Sequence, residues 1–93
     1  LILILVCNSA IAATNPTQRN VLITGGLSGI GRAMALEFKK EGWNVWVTSR
    51  DPKKYEAISG INIRQLDLTN PTNVKQLVKE IKTKDGHLDV LIN

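Results

Sequence analysis

The sequence predicts an α/β fold in which strands and helices alternate and the strands pair in parallel. Apolar, β-branched runs at positions 21–23, 45–48, 61–66 and 88–93 indicate four strands. Helical apolar patterns separate the first strand from the second and the third from the fourth, and the first helix begins in a glycine-rich turn. Right-handed crossovers then give the strand order 3-2-1-4, which is the N-terminal, incomplete part of a doubly wound sheet.

The composition is that of one small globular domain. The chain has 93 residues, with 12 Lys and Arg against 8 Asp and Glu, a net charge of +4. The basic residues do not cluster, so a solvated surface is favoured over a nucleic-acid footprint. Cys7 is the single cysteine, which excludes a disulfide within the chain. His87 is the single histidine and has no cysteine or carboxylate cluster at ligand spacing, so we expect no metal site.

Residues 1–20 form an apolar leader ahead of the first strand. Residues 1–7 are an unbroken apolar run, and Ala10-Ile11-Ala12 follows it like a signal-peptide exit site. The run is shorter than the roughly 20 residues that span a bilayer. Three interpretations stay open: a targeting segment, a membrane anchor, or a segment translated from upstream of the true start. The first two place the protein outside the cytoplasm or at a membrane, and the third leaves it in the cytoplasm.

The glycine-rich turn at positions 24–31 reads T-G-G-L-S-G-I-G. Glycine lets the backbone take positive φ and lets a ligand approach where a Cβ would block it. Amides in the first turn of a helix have no intrahelical acceptor, and the helix dipole there favours an anion. A strand, a glycine turn and a helix in this order indicate a Rossmann-type site for the pyrophosphate of an adenine dinucleotide. The residues assigned to it are Gly25, Ser28, Gly29, Ile30 and Gly31.

The glycine spacing is T-G-x-x-x-G-x-G and not the common G-x-G-x-x-G. With its Gly-Ile-Gly ending, it resembles the nucleotide-binding motif of the classical short-chain dehydrogenase/reductase family. The resemblance covers residues 20–93. It implies that residues 21–93 are part of an NAD(P)-binding Rossmann domain. It implies an oxidoreductase that transfers hydride between a nicotinamide cofactor and a carbonyl or alcohol substrate, in a protein that forms homo-oligomers.

In that family, the reaction uses a Ser, a Tyr and a Lys that would lie beyond Asn93. We therefore expect the chain to be an N-terminal fragment that holds no catalytic residue. Two alternatives stay open. The protein could be a non-catalytic, regulatory member that keeps the dinucleotide site, or an inactive truncated product.

The first helix presents Gly31, Met34, Ala35 and Phe38 on one face, and Gly42 is placed to end it. The small Gly31 and Ala35 let the helix lie close to the sheet. The second strand, 45–48, follows and contains Trp46, which we assign to the core and not to a ligand.

The end of the second strand selects the cofactor in Rossmann folds, because an acidic side chain there binds the adenosine ribose of NAD. This chain has Ser49 and Arg50 instead. The family resemblance implies that Ser49 stands where NAD enzymes have Asp, and that a basic residue after it marks NADP enzymes. Arg50 offers donors to a 2′-phosphate. NADP is therefore favoured over NAD, although Asp51 could instead approach the ribose or pair with Arg50.

The third strand, 61–66, follows a segment, 52–59, long enough for two helical turns, and leads into Asp67 and Leu68. The resemblance implies that these two residues frame the adenine ring, with the carboxylate accepting from its exocyclic amine. Alternatively, Asp67 fixes the turn or caps the next helix, although Asn70 before Pro71 is already an adequate helix start.

The second helix repeats apolar residues at Val74, Leu77, Val78 and Ile81, with lysines near its C-terminal end and Gly86 just past it. Its opposite face is predicted to be solvated, and consists of Lys75, Lys79, Glu80 and Lys82. The fourth strand ends at Asn93, which matches the first Asn of the family's Asn-Asn-Ala-Gly motif. The resemblance implies that Asn93 borders the cofactor.

Overall fold

A computed structural model describes residues 17–93, and most of the leader lies outside the described residues. Four parallel strands form one sheet in the order β3-β2-β1-β4, which confirms the predicted topology. The strands are β1 (Asn20–Thr24), β2 (Asn44–Ser49), β3 (Asn62–Gln65) and β4 (Val90–Ile92). Helix α1 (Gly29–Lys40) connects β1 to β2, and helix α2 (Pro71–Asp85) connects β3 to β4.

One face of the sheet packs against α1. Val21 and Ile23 point to this face because side chains alternate along a strand, and their partners Val45 and Val47 in β2 do the same. Ala35 of α1 is completely buried among them. Met34 and Phe38 pack against the same cluster, which confirms the predicted helix face.

The opposite face packs against α2. Leu22 and Trp46 are register partners there, and Leu77 and Ile81 cover them. Val78 was predicted to share this core, but 56% of it is exposed. It lines an open apolar groove of about 240 Å³ beside Leu22, Ile81 and Leu88. The spacing of apolar residues along a helix defines which side chains share one face. Whether such a side chain is buried depends on which other part of the protein packs against it.

The helix ends follow the local signals in the sequence. The Asn70 side chain accepts from the amides of Thr72 and Asn73 at 3.1 and 3.3 Å and so caps α2, which starts at Pro71. Gly42, at φ +88°, ends α1 in a Schellman arrangement. Its amide donates to the Lys39 carbonyl, and the next amide donates to the Phe38 carbonyl.

The segment between β2 and β3 differs from the prediction. Only Pro52–Lys54 is helical, as a single 3₁₀ turn, where two helical turns were expected. The Glu56 carbonyl accepts from the Arg32 guanidinium at 2.9 Å instead of from a helical amide. Ile58 is buried in the α1-side core. These two tertiary contacts hold the segment in a non-helical conformation.

Glu80 was predicted to lie on a solvated face; its side chain is a third exposed, and it is also paired with Arg64. The Arg64 guanidinium on β3 donates three hydrogen bonds to the Glu80 carboxylate, from Nε to Oε1 and Oε2 at 2.9 and 3.0 Å and from Nη2 to Oε2 at 2.7 Å. The same guanidinium lies over the Trp46 ring, 5.1 Å from its centroid. Hydrogen bonding from Arg64 lowers the pKa of Glu80. The pair therefore ties β3 to α2 across one edge of the sheet.

Replacing Glu80 by Gln is expected to lower the free energy of unfolding at pH 7 by about 0.5–1 kcal/mol, because the pair is a third exposed. The folded-state pKa of Glu80 lies below its unfolded value, so the pair stabilises the protein above the unfolded pKa. That contribution is lost as the pH falls through the folded-state pKa. Urea unfolding of both proteins from pH 7 to pH 3 should show the difference shrinking, and a constant difference would contradict the assignment.

Candidate functional site

The carboxyl ends of β1, β2 and β3 open into a cleft of about 680 Å³. Side chains and backbone from all three strand ends reach it because parallel strands end at the same edge of a sheet. Six of the residues predicted from the sequence line this cleft: Gly25, Ser28, Ser49, Arg50, Asp67 and Leu68. The other four, Gly29, Ile30, Gly31 and Asn93, lie in the first turn of α1 and at the end of β4.

The glycine turn is anchored to β2. The amides of Gly25 and Gly26 both donate to the Thr48 carbonyl, at 2.9 and 3.2 Å. Gly25 and Gly29 have φ values of +69° and +55°, and a Cβ added at either would meet no atom within 4 Å. These two positions therefore need glycine for their backbone conformation, and they leave open space where a ligand can approach.

Gly26 and Gly31 serve packing instead. A Cβ on Gly31 would collide with the Gly25 carbonyl oxygen, so only glycine lets α1 start this close to the turn. A Cβ on Gly26 would lie 2.5 Å from Cγ1 of Val47. Gly31 was predicted as a binding residue, and the structure shows that it also shapes the site by closing the turn onto the helix. The packing role of Gly26 was not foreseen, because a repeat of glycines does not reveal which ones face protein.

The first turn of α1 presents unused backbone donors. Ser28 is the N-cap in extended conformation, and in the described structure its side chain makes no capping hydrogen bond. Arg32 is the first residue whose amide reaches an intrahelical acceptor, the Ser28 carbonyl at 3.1 Å. The amides of Gly29, Ile30 and Gly31 thus remain for an anion, at the positive end of the helix dipole. Ile30 itself is 78% exposed.

β2 ends at Ser49, and Arg50 follows it; both residues line the cleft. The Ser49 hydroxyl oxygen accepts from the Asp51 amide at 3.2 Å, so its proton is left to donate elsewhere. The Arg50 carbonyl accepts from the Gln65 side chain at 3.0 Å, which holds the backbone. The ion pairs found in residues 17–93 include none between Arg50 and Asp51. The Arg50 guanidinium is exposed and is therefore available to an anion in the cleft.

Asp67 fixes the turn that follows β3. Its Oδ1 accepts from the Thr69 hydroxyl at 2.6 Å and from the Thr69 amide at 2.9 Å. These two hydrogen bonds, and more weakly the charge of Arg50, lower the pKa of Asp67. Asp67 does not cap α2, since Asn70 does so. Oδ2 stays available as an acceptor at the cleft, beside Leu68, which is 58% exposed.

Asn93 lies at the carboxyl end of β4, next to the end of β1. The Thr24 hydroxyl donates to Asn93 Oδ1 at 2.6 Å. This hydrogen bond ties the last residue of the chain to the residue that opens the glycine turn. Asn93 therefore stands at the same edge of the sheet as the cleft, on the opposite side of β1 from Ser49.

The cleft residues that the sequence reasoning did not assign include Lys54 and Tyr55. Both lie at the end of the 3₁₀ turn that follows Ser49 and Arg50. The available signal was Pro52, which favours a tight turn and brings the residues after it back to the strand end.

His87 lies at the opposite, amino-terminal edge of the sheet. Its Nε2 is 3.1 Å from Asp89 Oδ2 and 3.0 Å from the Gln18 carbonyl oxygen. Within residues 17–93, the His, Cys, Asp and Glu side chains form no group of three suited to a metal ion. Neither described helix has the length and apolar character needed to cross a membrane.

Residues 19–93 match the family model for short chain dehydrogenases. (+)-Neomenthol dehydrogenase from Capsicum annuum is 37% identical over 94 residues, which cover 88% of this chain and 30% of that protein. 3-Ketodihydrosphingosine reductase from Bacteroides thetaiotaomicron is 40% identical over 73 residues, covering 78% of this chain and 26% of that protein. The chain thus spans about a third or less of the relatives it matches.

A solved structure, ElxO with NADP bound, superposes with a TM-score of 0.72. It is 41% identical, and the match covers 83% of this chain and 34% of that chain. The family match begins one residue before β1 and includes the glycine turn, both helices and β4. The family model matches nearly all of the described residues, and the solved structure has the same arrangement of strands. This chain therefore belongs to the short chain dehydrogenase family.

Proposed function

We propose that this chain forms the adenosine and pyrophosphate half of an NADP(H) site in an oxidoreductase. The observation that carries the proposal is the cleft at the carboxyl ends of β1, β2 and β3, which is lined by Ser28, the N-cap of α1, and by Arg50, the residue after β2. The bound nicotinamide would give or accept hydride, and the reacting partner would be a carbonyl or alcohol. Relatives that are reductases and dehydrogenases support this reaction class.

The residues of the glycine turn fit a pyrophosphate. The open space beside Gly25 and Gly29 admits the ligand to the backbone. The amides of Gly29 and Ile30 would donate to phosphate oxygens, and the Ser28 hydroxyl, which caps nothing, would add a third donor. Hydrogen bonds to a charged acceptor are stronger than neutral ones, so this end would supply much of the affinity.

The other end of the cleft fits an adenosine with a 2′-phosphate. Asp67 Oδ2 would accept from the adenine amine, and Leu68 would cover one face of the ring. The Ser49 proton and the Arg50 guanidinium would donate to the 2′-phosphate. No carboxylate stands at position 49, where it would accept from a free ribose hydroxyl and repel a phosphate. The similarity to ElxO, whose structure holds NADP, also supports NADP over NAD.

Replacing Ser49 by Asp together with Arg50 by Ala is expected to shift the preference from NADPH towards NADH. The change removes charge-assisted hydrogen bonds of about 1.5–3 kcal/mol each and adds a repelling carboxylate. The ratio of the two Kd values, measured by calorimetry on the intact protein, should move at least about tenfold. Arg19→Ala is the control, because Arg19 is an exposed arginine that precedes β1 at the other edge of the sheet.

An unchanged ratio of Kd values would show that the cofactor assignment is wrong. Failure of the unmodified protein to bind either nucleotide would show that the proposed function is wrong. Oxidation of NADPH in the presence of ketones or aldehydes separates an enzyme from a regulatory member, since the latter would bind the nucleotide without turnover.

A further inference from the structure

Asp67 follows β3 at the outer edge of the described sheet. β3 is the outermost strand there, and an edge strand presents backbone N–H groups that no neighbouring strand accepts from. The Leu66 amide still donates to the Ser49 carbonyl of β2, at 2.9 Å. The next amide, that of Asp67, donates instead to Asn73 Oδ1 of α2, at 2.8 Å. A side chain of the following helix therefore holds the backbone of the residue that is proposed to recognise adenine.

The start of α2 does not depend on the Asn73 side chain. Asn73 is the third residue of the helix, and a polar side chain at that position can accept from the amide of the N-cap residue. Here the N-cap amide, that of Asn70, already donates to the Asp67 carbonyl at 3.0 Å. The first helix amides are capped by the Asn70 side chain. The Asn73 side chain thus reaches past the helix start and holds the turn before it.

The carboxylate of Asp67 is held separately from its amide. The hydroxyl and the amide of Thr69 donate to Oδ1, at 2.6 and 2.9 Å. These two bonds set the rotation of the carboxyl group, whereas the bond to Asn73 sets the position of the backbone that carries it. Oδ2 stays available to a ligand. The position of the backbone matters because a hydrogen bond needs a donor–acceptor distance of about 2.7–3.2 Å.

We propose that Asn73 is a positioning residue for the adenine end of the nucleotide. By holding the Asp67 amide, it fixes the place where Oδ2 meets the exocyclic amine of the base. Asn73 is not among the residues that line the cleft, so it acts through Asp67 and makes no contact with the nucleotide. This inference rests on the proposed function, since it needs a dinucleotide in the cleft.

The proposal predicts how well the site distinguishes adenine from hypoxanthine. Hypoxanthine carries a carbonyl oxygen where adenine carries the amine. An ionised carboxylate only accepts hydrogen bonds, so Asp67 Oδ2 and that oxygen would face each other as two acceptors. A precisely placed Asp67 therefore selects adenine, and a loosely held one selects it less well.

The test compares Kd values for NADPH and for its hypoxanthine analogue, measured by calorimetry on the intact protein and on N73A and N73D. The unmodified protein is expected to bind NADPH at least about tenfold more tightly than the analogue. N73A should lower this ratio about fivefold, because it removes the acceptor for the Asp67 amide. N73D should keep the ratio within about twofold, since its carboxylate still accepts from that amide and its added charge acts on both nucleotides alike.

Asn62→Ala is the matched control for a general loosening of β3. The Asn62 side chain donates to Asn44 Oδ1 and to the Val45 carbonyl, both at 3.2 Å, at the opposite end of the same strand. Urea unfolding should show N62A and N73A both folded and both less stable than the unmodified protein. Only N73A should lose selectivity for adenine. An equal loss of selectivity in N62A would overturn the inference, because any loosening of the strand would then explain it.

Three further outcomes separate the inference from the proposed function. If the unmodified protein prefers NADPH over the analogue and N73A does so equally, Asn73 does not position Asp67 and the proposed function stands. If the unmodified protein binds both nucleotides equally, Asp67 does not read the amine and the inference falls, although the nucleotide site remains. If the unmodified protein binds neither nucleotide, the proposed function fails and the inference fails with it.

Discussion

Replacing Gly29 by Val is expected to raise the Kd for NADPH at least about a hundredfold, which corresponds to about 2.8 kcal/mol. The side chain would project into the open space beside the first turn of α1, where the pyrophosphate is proposed to lie. It would keep the phosphate from the amides of Gly29 and Ile30. Losing even two hydrogen bonds to a charged group, at about 1.5–3 kcal/mol each, accounts for an effect of this size.

Backbone strain has to be separated from blocked access, because Gly29 has a φ of +55°. A β-branched residue there costs about 1–3 kcal/mol of stability. Gly42→Val is the matched control, since Gly42 has a φ of +88°, has nothing within 4 Å of an added Cβ and lies at the far end of α1. Calorimetry and thermal unfolding should show both variants destabilised and only Gly29→Val unable to bind. Loss of binding in both would mean that strain, and not access, is responsible.

Replacing Gly31 by Ala is expected to lower the free energy of unfolding by about 2–3 kcal/mol. The added methyl group would collide with the Gly25 carbonyl oxygen and would lie 3.2 Å from the Gly26 Cα. Both are backbone atoms held in place by hydrogen bonds to Thr48, so the contact cannot be relieved by turning a side chain. Overpacking of this kind typically costs about 1–3 kcal/mol.

The sign of the change in the free energy of unfolding distinguishes Gly31 from an ordinary helix position. In an unobstructed helix, Gly to Ala stabilises by about 1 kcal/mol, because alanine has the higher helix propensity. Urea unfolding should therefore give a change opposite to that of an ordinary helix position. The reverse substitution Ala33→Gly, at an exposed site in α1, is the reference and should destabilise by about 1 kcal/mol. A stabilised Gly31→Ala protein would show that α1 does not pack on the turn as described.

Local patterns in the sequence were enough to predict the strand order and the positions where the helices end. Apolar runs alternating with amphipathic helices leave little choice of topology once crossovers are right-handed. Asn70 and Gly42 mark helix ends through their own hydrogen bonds and backbone angles, which depend on neighbours in the chain. The family was recognised from the same kind of local information, because the glycine turn is one continuous segment.

The candidate binding residues also divide into those that local sequence predicts and those that it does not. Those on the glycine turn and at the ends of β2 and β3 were predicted from their place after a strand, and the structure brings six of the ten into one cleft. Lys54 and Tyr55 were missed because a 3₁₀ turn, tied down through Arg32 and Glu56, folds them back to the cleft. That hydrogen bond joins residues 24 positions apart, which no local pattern reveals.

By itself the sequence determined the parallel α/β sheet, the glycine turn at the end of β1 and the basic residue at the end of β2. The tertiary structure alone decided which glycines have open space beside them and which meet protein, since an added Cβ would meet no atom within 4 Å at Gly29 but would meet Val47 at Gly26. It also decided that Glu80 is paired with Arg64 and that Val78 stays exposed. The physical reason is that periodicity and spacing report the conformation of a segment, whereas contacts depend on which distant segment is packed against it.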